Sequence, residues 1–164
     1  MPHPLGEALR TTMRRWASGV TVVTSAYEGR RAGMTVSAFL SVSLEPPTIL
    51  VSLHEGAETL AHLRRSGHFG VSILGASMEA ASARFSGWGL PPDADRFEGS
   101  RVDVRPSGVP VLADAAAWLE CKVSALHNTA THVLVLGEVT ATAVRDAAEG
   151  PLLYFDRAYR RLAT

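Results

Sequence analysis

The chain has 164 residues, with 16 Lys and Arg against 16 Asp and Glu, and 46% of its residues are hydrophobic. This size and composition predict one domain with a hydrophobic core and argue against a disordered chain. The net charge is zero, so the chain lacks the excess of basic residues that is typical of a general nucleic-acid binder. The single cysteine excludes an internal disulfide. No apolar run approaches the about 20 residues that span a bilayer, and no secretory signal is recognisable, so we expect a cytoplasmic protein.

The N-terminal half is predicted to begin with a helix and continue as strands. Four apolar residues at helical spacing predict an amphipathic helix: Leu5, Leu9, Met13 and Trp16. The run GVTVVTSAY then predicts a strand, and Glu28-Gly29 a hairpin turn. MTVSAFLSVSL and TILVSL predict two further strands, separated by Glu45-Pro46-Pro47. Residues 57–66 predict a helix with Leu60 and Leu63 inward and with His62, Arg64 and Arg65 outward.

The C-terminal half adds two long strands and one irregular segment. HFGVSIL predicts a buried strand, and MEAASARFS a short helix that ends at Gly87. Residues 86–108 lack periodicity, so this excursion is either mobile or functional, or a packed loop. Residues 117–126 and 132–144 predict long strands, followed by a short strand and a hook at the end. Because strict βαβ alternation is missing, the pattern favours an antiparallel β-barrel with helical decoration.

Several kinds of chemical site are absent from the sequence. Gly87-Trp88-Gly89 is no dinucleotide fingerprint, and neither a P-loop nor a Gly-x-Ser-x-Gly elbow occurs. The six histidines form no recognisable ligand motif, so no metal site is predicted. Cys121 lies in a predicted strand with Lys122 on the opposite face, and we expect it to be a small buried hydrophobic residue.

Small hydroxyl side chains are dense in the strands between residues 35 and 52. They are Thr35, Ser37, Ser41, Ser43 and Ser52. A strand face of this kind either presents hydroxyl and backbone N–H groups to a polar or phosphorylated ligand or is simply solvated. His132, at the start of an apolar strand, is likewise either a site residue or a surface histidine.

Eight segments of the chain stand in an order typical of one family. They are ASGVTVVTS, GMTVSAFLSVSLEPPTILVSL, TLAHLRRSGHFGVSIL, ARFSG, DRFEG, GVPVLADAAAWLECKV, THVLVLGEV and PLLYFDRAYRRL. Their order and spacing resemble the flavin reductase-like family of small NAD(P)H:flavin oxidoreductases. The resemblance covers about residues 13–160 of a single predicted domain, 1–164.

The resemblance implies a fold and an activity. The expected fold is mainly β with short helices, a six-stranded antiparallel Greek-key split β-barrel of the FMN-binding type, assembled as a homodimer. The expected activity is hydride transfer from NADH or NADPH to FMN or FAD, with reduced flavin supplied to a partner monooxygenase. Two alternatives remain: a tight FMN flavoprotein that reduces ferric iron or a quinone, and a flavin-binding dimer without turnover.

The resemblance also implies the residues of the site. Those expected to contact flavin are Thr35, Val36, Ser37, Ser41, Val42, Ser43, Ser52, Leu53, Thr59, Arg84 and Phe85. Residues 35–37 would approach the ring and its chain, residues 41–43 the pyrimidine edge, and Ser52, Leu53, Thr59 and Arg84 the phosphate end. His132 would act as the catalytic residue near the reactive flavin nitrogen and position the nicotinamide, with Tyr154 in the same cleft. Glu55 and Glu58 would be unfavourable beside a phosphate unless they face away.

Overall fold

The computed structural model describes residues 3–146 and 149–163, and these are mainly β with three short helices. The helices are α1 (Gly6–Met13), α2 (Glu58–Ser66) and α3 (Glu79–Ser86). The strands are β1 (Ser18–Gly19), β2 (Thr21–Tyr27), β3 (Arg30–Val36), β4 (Phe39–Leu44), β5 (Pro47–His54), β6 (His68–Ile73), β7 (Val102–Val104), β8 (Pro110–Leu112), β9 (Ala117–Asn128), β10 (His132–Val144), β11 (Leu153–Phe155) and β12 (Ala158–Arg160).

The main sheet is antiparallel and has seven strands in the order β3-β2-β6-β9-β10-β5-β4. Two small sheets, β1-β11-β12 and β7-β8, flank it. The expectation of a mainly β, antiparallel fold is therefore confirmed. The number of strands differs from the expected six, because Ser37 and Ala38 interrupt the run that the sequence predicted as one strand. Its two halves, β3 and β4, lie at opposite ends of the strand order.

Local sequence explains the turns of the sheet. Glu28 and Gly29, which join β2 to β3, both have positive φ angles of 50° and 74°. Two consecutive positive φ angles are the requirement of a tight hairpin whose twist matches its strands. The predicted hairpin is confirmed, with Tyr27 opposite Arg30.

Alternation along β5 and β10 places one face of each strand in the core. Leu53 of β5 is directly opposite Val133 of β10, and both are fully buried. Each such side chain contributes about 1.5–3 kcal/mol when it leaves water. The intervening residues, which end with the pair His54 and His132, lie on the outer face. The core thus fixes the end of β5 and the start of β10 side by side.

Helix α2 packs on this core through Leu60 and Leu63, both fully buried. His62 was predicted to face outward, which is wrong, because the residue is only 9% exposed. The helix buries more of its circumference than a single apolar stripe, so its polar residues are drawn in as well. This packing holds the N-terminus of α2 close to β3.

Among the described residues, no helix is long and apolar enough to cross a membrane. The predicted burial of Cys121 is confirmed, and burial, followed by the nearby Glu120 charge, raises the pKa of its thiol to about 12. Helix α1 forms within the predicted segment but ends at Met13, before Trp16, and its apolar residues Leu9 and Met13 are exposed.

Candidate functional site

A cavity of about 680 Å³ opens beside β3, at the start of α2. Its walls are residues 30–35 of β3, residues 56–59, Phe85 and Ser86 at the end of α3, and residues 92–97. Cofactor sites usually have volumes of about 300–1,000 Å³, so this cavity is large enough for a nucleotide-sized ligand.

The N-terminus of α2 supplies hydrogen-bond donors to the cavity. Ala57 precedes the helix in an extended conformation and offers no side-chain cap to the first turn. The first backbone N–H groups of a helix have no intrahelical partner, and the helix dipole makes this end positive. With Thr59 in the same turn, the arrangement is suited to a phosphate group.

Four of the charged side chains around the cavity form two ion pairs. Arg30 is 3.5 Å from Glu58, and Arg31 is 3.1 Å from Asp95. The Phe97 backbone N–H and then the Arg31 guanidinium hold the pKa of Asp95 below its usual value, against the opposing effect of burial. Glu58 lines the cavity rather than facing away from it, and Arg30 compensates its charge.

Three of the expected flavin contacts line this cavity: Thr35, Thr59 and Phe85. The Thr35 hydroxyl donates a hydrogen bond to the Ser82 carbonyl at 2.6 Å, which ties β3 to α3. Its oxygen keeps the capacity to accept a further bond. Thr59 and Phe85 are almost fully buried, so each presents only a small surface to the cavity.

The Arg84 side chain is directed elsewhere. Its guanidinium donates to the Asp95 carbonyl at 3.2 and 2.9 Å and pairs with Glu98. It therefore anchors residues 95–98 and does not line the cavity, and its expected role as a phosphate cation or donor stays a prediction. Val36 and Leu53 face the core, so contacts to a ligand from these two would have to use the main chain. Ser52, half-buried on the other face of β5, does not line the cavity either.

The remaining expected flavin contacts lie at the interruption between β3 and β4 or beyond it in the chain. Ser37 and Tyr154 line a second groove of about 350 Å³, together with Trp16. Ser41, Val42 and Ser43 lie on the edge strand β4, where Ser41 is exposed and Val42 is 47% exposed. The described residues of one chain thus distribute the predicted site over several separate surfaces.

His132 stands at the start of β10, exposed, with its Nδ1 at 2.9 Å from the Thr131 hydroxyl. His54, at the end of β5, lies directly opposite, and the two rings pack edge to face with centroids 5.4 Å apart. The Glu55 N–H donates to the Thr131 carbonyl at 3.0 Å, which joins the two strand ends. Sequence reasoning missed His54. The signal available was that one predicted strand ends with a histidine and a later one begins with one.

Comparison with known proteins gives consistent results. The family model described as flavin reductase like domain matches residues 13–163. An NADH-dependent flavin reductase from a Rhodococcus species is 39% identical over 94% of this chain and 85% of its own. The reductase component of 4-hydroxyphenylacetate 3-monooxygenase from Thermus thermophilus is 38% identical over 95% of this chain and 96% of its own.

A solved structure shows the same fold. The NADH:FAD oxidoreductase of Streptomyces globisporus C-1027, in complex with NAD and FAD fragments, is 32% identical and superimposes with a TM-score of 0.87. The alignment covers 99% of this chain and 96% of that one. By sequence and by fold, the chain belongs to the flavin reductase-like family.

Proposed function

We propose that this protein is an NAD(P)H-dependent flavin reductase that supplies reduced FMN or FAD to a separate monooxygenase. The observation that carries the proposal is the cavity of about 680 Å³ into which the uncapped N-terminus of α2 opens. Relatives named as NADH-dependent flavin reductases and as a monooxygenase reductase component support it.

The residues around the cavity fit a flavin phosphate. The backbone N–H groups of the first turn of α2 bind the phosphate oxygens, and the Thr59 hydroxyl adds a donor. Thr35 accepts a hydrogen bond from the flavin chain, while its own proton stays on the Ser82 carbonyl. A flavin held there would supply the hydride acceptor, and the dihydronicotinamide would supply the hydride and leave in its oxidised form.

His132 is the proposed catalytic residue. Its exposed ring at the start of β10 holds the nicotinamide in place over the flavin, since positioning of the two rings is the principal contribution a protein makes to hydride transfer. The Thr131 hydroxyl, 2.9 Å from Nδ1, orients the ring and leaves Nε2 for the substrate. Tyr154 of β11 lines the second groove in one chain, and in the proposed dimer it borders the same cleft as His132.

The proposal includes a homodimeric, cytoplasmic protein with one domain. In each subunit of this proposed dimer, the main sheet forms a Greek-key split barrel. Apolar residues of α1 and of the edge strand β4 are exposed, among them Leu9 at 61% and Leu40 at 51%. Burial of such residues against a second copy supplies a driving force for the dimer. A dimer would also bring the separate parts of the divided site together.

Oxidation of NADH or NADPH, with added FMN or FAD, tests the activity. We expect absorbance at the nicotinamide band to fall only when flavin is added. His132→Ala should lower kcat/KM at least tenfold, whereas His127→Ala, an exposed histidine on the neighbouring strand β9, should leave it unchanged. A yellow protein that oxidises NADH without added flavin would instead identify a tight flavoprotein. If flavin binds but neither NADH nor NADPH is oxidised with either flavin, the protein is a flavin-binding module without turnover.

A further inference from the structure

The strand pairing that presents His132 also presents a second histidine at the same place. His54 and His132 are direct neighbours across β5 and β10, and both are exposed. Their rings meet at 83° with centroids 5.4 Å apart. A molecule that reaches the His132 ring therefore also comes within reach of His54.

One backbone contact fixes the tautomer of His54. The Gly56 N–H donates to His54 Nδ1 at 3.1 Å. A backbone N–H has no alternative but to donate, so Nδ1 must present its lone pair. In the neutral ring the proton is then on Nε2, which makes this nitrogen a hydrogen-bond donor.

We infer that His54 is a second recognition residue for the nicotinamide dinucleotide, through an Nε2–H donor aimed at an acceptor oxygen of that substrate. The dinucleotide carries such oxygens on its carboxamide and its phosphates, and a donor of this kind matches both. The inference rests on the proposed function, because it takes the nicotinamide to bind beside His132.

The loop that follows His54 makes the donor rigid. Glu55 donates to the Thr131 carbonyl at 3.0 Å, and Ala57 donates to the His54 carbonyl at 3.0 Å before α2 begins. Gly56 and Ala57 line the cavity, so the same short loop connects the pair of histidines with the proposed flavin site. A donor held this way loses little conformational entropy on binding.

Three substitutions of His54 separate its possible roles. His54→Ala removes every contact, His54→Phe keeps a ring against His132 without nitrogen atoms, and His54→Asn keeps an oxygen that can accept the Gly56 N–H as in an Asx turn. We expect all three to raise KM for the nicotinamide nucleotide about tenfold, as the loss of one hydrogen bond implies. The values of kcat and of KM for flavin should stay within about twofold. His127→Phe on β9 is the matched control and should change neither constant.

The opposite results are equally specific. Recovery of the wild-type KM by His54→Phe would show that only ring packing matters. Recovery by His54→Asn, whose amide N–H donors stop one bond short of the Nε2 position, would show that only the loop cap matters. An increase confined to KM for flavin, or no change in any variant, would also overturn the inference. A simple dihydronicotinamide without phosphates identifies the acceptor oxygen. If the carboxamide is the acceptor, the His54 substitutions raise KM for this substrate as well. If a phosphate is the acceptor, they leave KM for this substrate unchanged.

Direct binding separates this inference from the proposed function. The fluorescence of NADH gives its Kd without turnover, and His54→Ala should raise that Kd about tenfold. If the wild-type protein binds NADH in this way but reduces no flavin, the proposed function fails and the inference stands. If it reduces flavin and the His54 variants behave as wild type, only the inference fails.

Discussion

At the scale of single residues, Thr35 connects stability with the proposed flavin site. Its hydroxyl bonds the Ser82 carbonyl at 2.6 Å beside the cavity. Thr35→Val keeps the shape and removes this bond, so we expect a loss of about 1 kcal/mol in the free energy of unfolding, measured in urea. Flavin affinity should fall as well. Thr142→Val removes a similar bond, to the Trp118 carbonyl at 2.7 Å, and should weaken stability alone. Equal flavin affinities in the two variants would contradict the role of Thr35.

Cys121 provides a second prediction at this scale. With its pKa raised to about 12, the thiol is neutral at pH 8, and the thiolate is the form that reacts. We expect no alkylation of the folded protein by iodoacetamide over hours, and rapid alkylation in denaturing urea. A fast reaction under native conditions would show that the strand around Cys121 opens readily.

The residue scale also shows where sequence reasoning succeeds and where it stops. Burial of Cys121 follows from its place in a strand and needs no knowledge of partners. The pair formed by His54 and His132 depends on which strands are neighbours, and residues 78 positions apart carry no periodic signal. The prediction that His62 faces outward was wrong for a similar reason, because its burial is set by the strands on which α2 packs.

At the scale of secondary structure elements, Gly137 marks a tight contact between strands. It lies next to a register shift in β10, and an added Cβ would lie 2.6 Å from Cε1 of Phe69 and 3.1 Å from Cβ of Cys121. Gly137→Ala should therefore cost about 1–3 kcal/mol in the free energy of unfolding through overpacking. Gly19→Ala is the control, since a Cβ there meets nothing within 4 Å. Partial recovery in the double variant with Phe69→Leu would confirm the cause.

The loop of residues 92–98 should depend on pH through Asp95. The pKa of Asp95 is lowered in the folded protein, chiefly by the Phe97 backbone N–H and further by Arg31. The carboxylate therefore stabilises the fold at pH values above its ordinary pKa, and this contribution is lost as the pH falls through the lowered value. The difference in Tm between wild type and Asp95→Ala should be largest near neutral pH and shrink in acid. Asp93→Ala, in the same loop, is the matched control for the loss of a carboxylate.

Most elements could be predicted because their own residues determine them. The bounds predicted for β10 agree with the structure, and α2 and α3 agree to within two residues, since apolar periodicity and the stops at Gly67 and Gly87 are local signals. The division of β3 from β4 was missed. Residues 33–44 have continuous strand character, and only the tertiary arrangement sends their two halves to opposite ends of the sheet.

At the scale of the whole molecule, the exposed apolar surface predicts self-association. Leu40 on β4 and Leu9 on α1 are both more than half exposed. We expect light scattering to give twice the chain mass of 17.5 kDa. Leu9→Glu and Leu40→Glu should shift the protein toward the monomer. Val104, on β7, is 68% exposed, and Val104→Glu is the control that should leave the dimer unchanged. A monomer at micromolar concentration would contradict the homodimer and leave the divided site unexplained.

The pairing of β5 with β10 constrains how this chain can change in length. Core residues such as Leu53 and Val133 alternate with the outward pair His54 and His132. Deleting one residue from the paired part of either strand would turn a histidine toward the core and a core side chain toward solvent. Losses or gains of two residues preserve the alternation. Among related genes, we therefore expect single-codon insertions and deletions to be confined to the loops, and changes within this strand pair to come in twos.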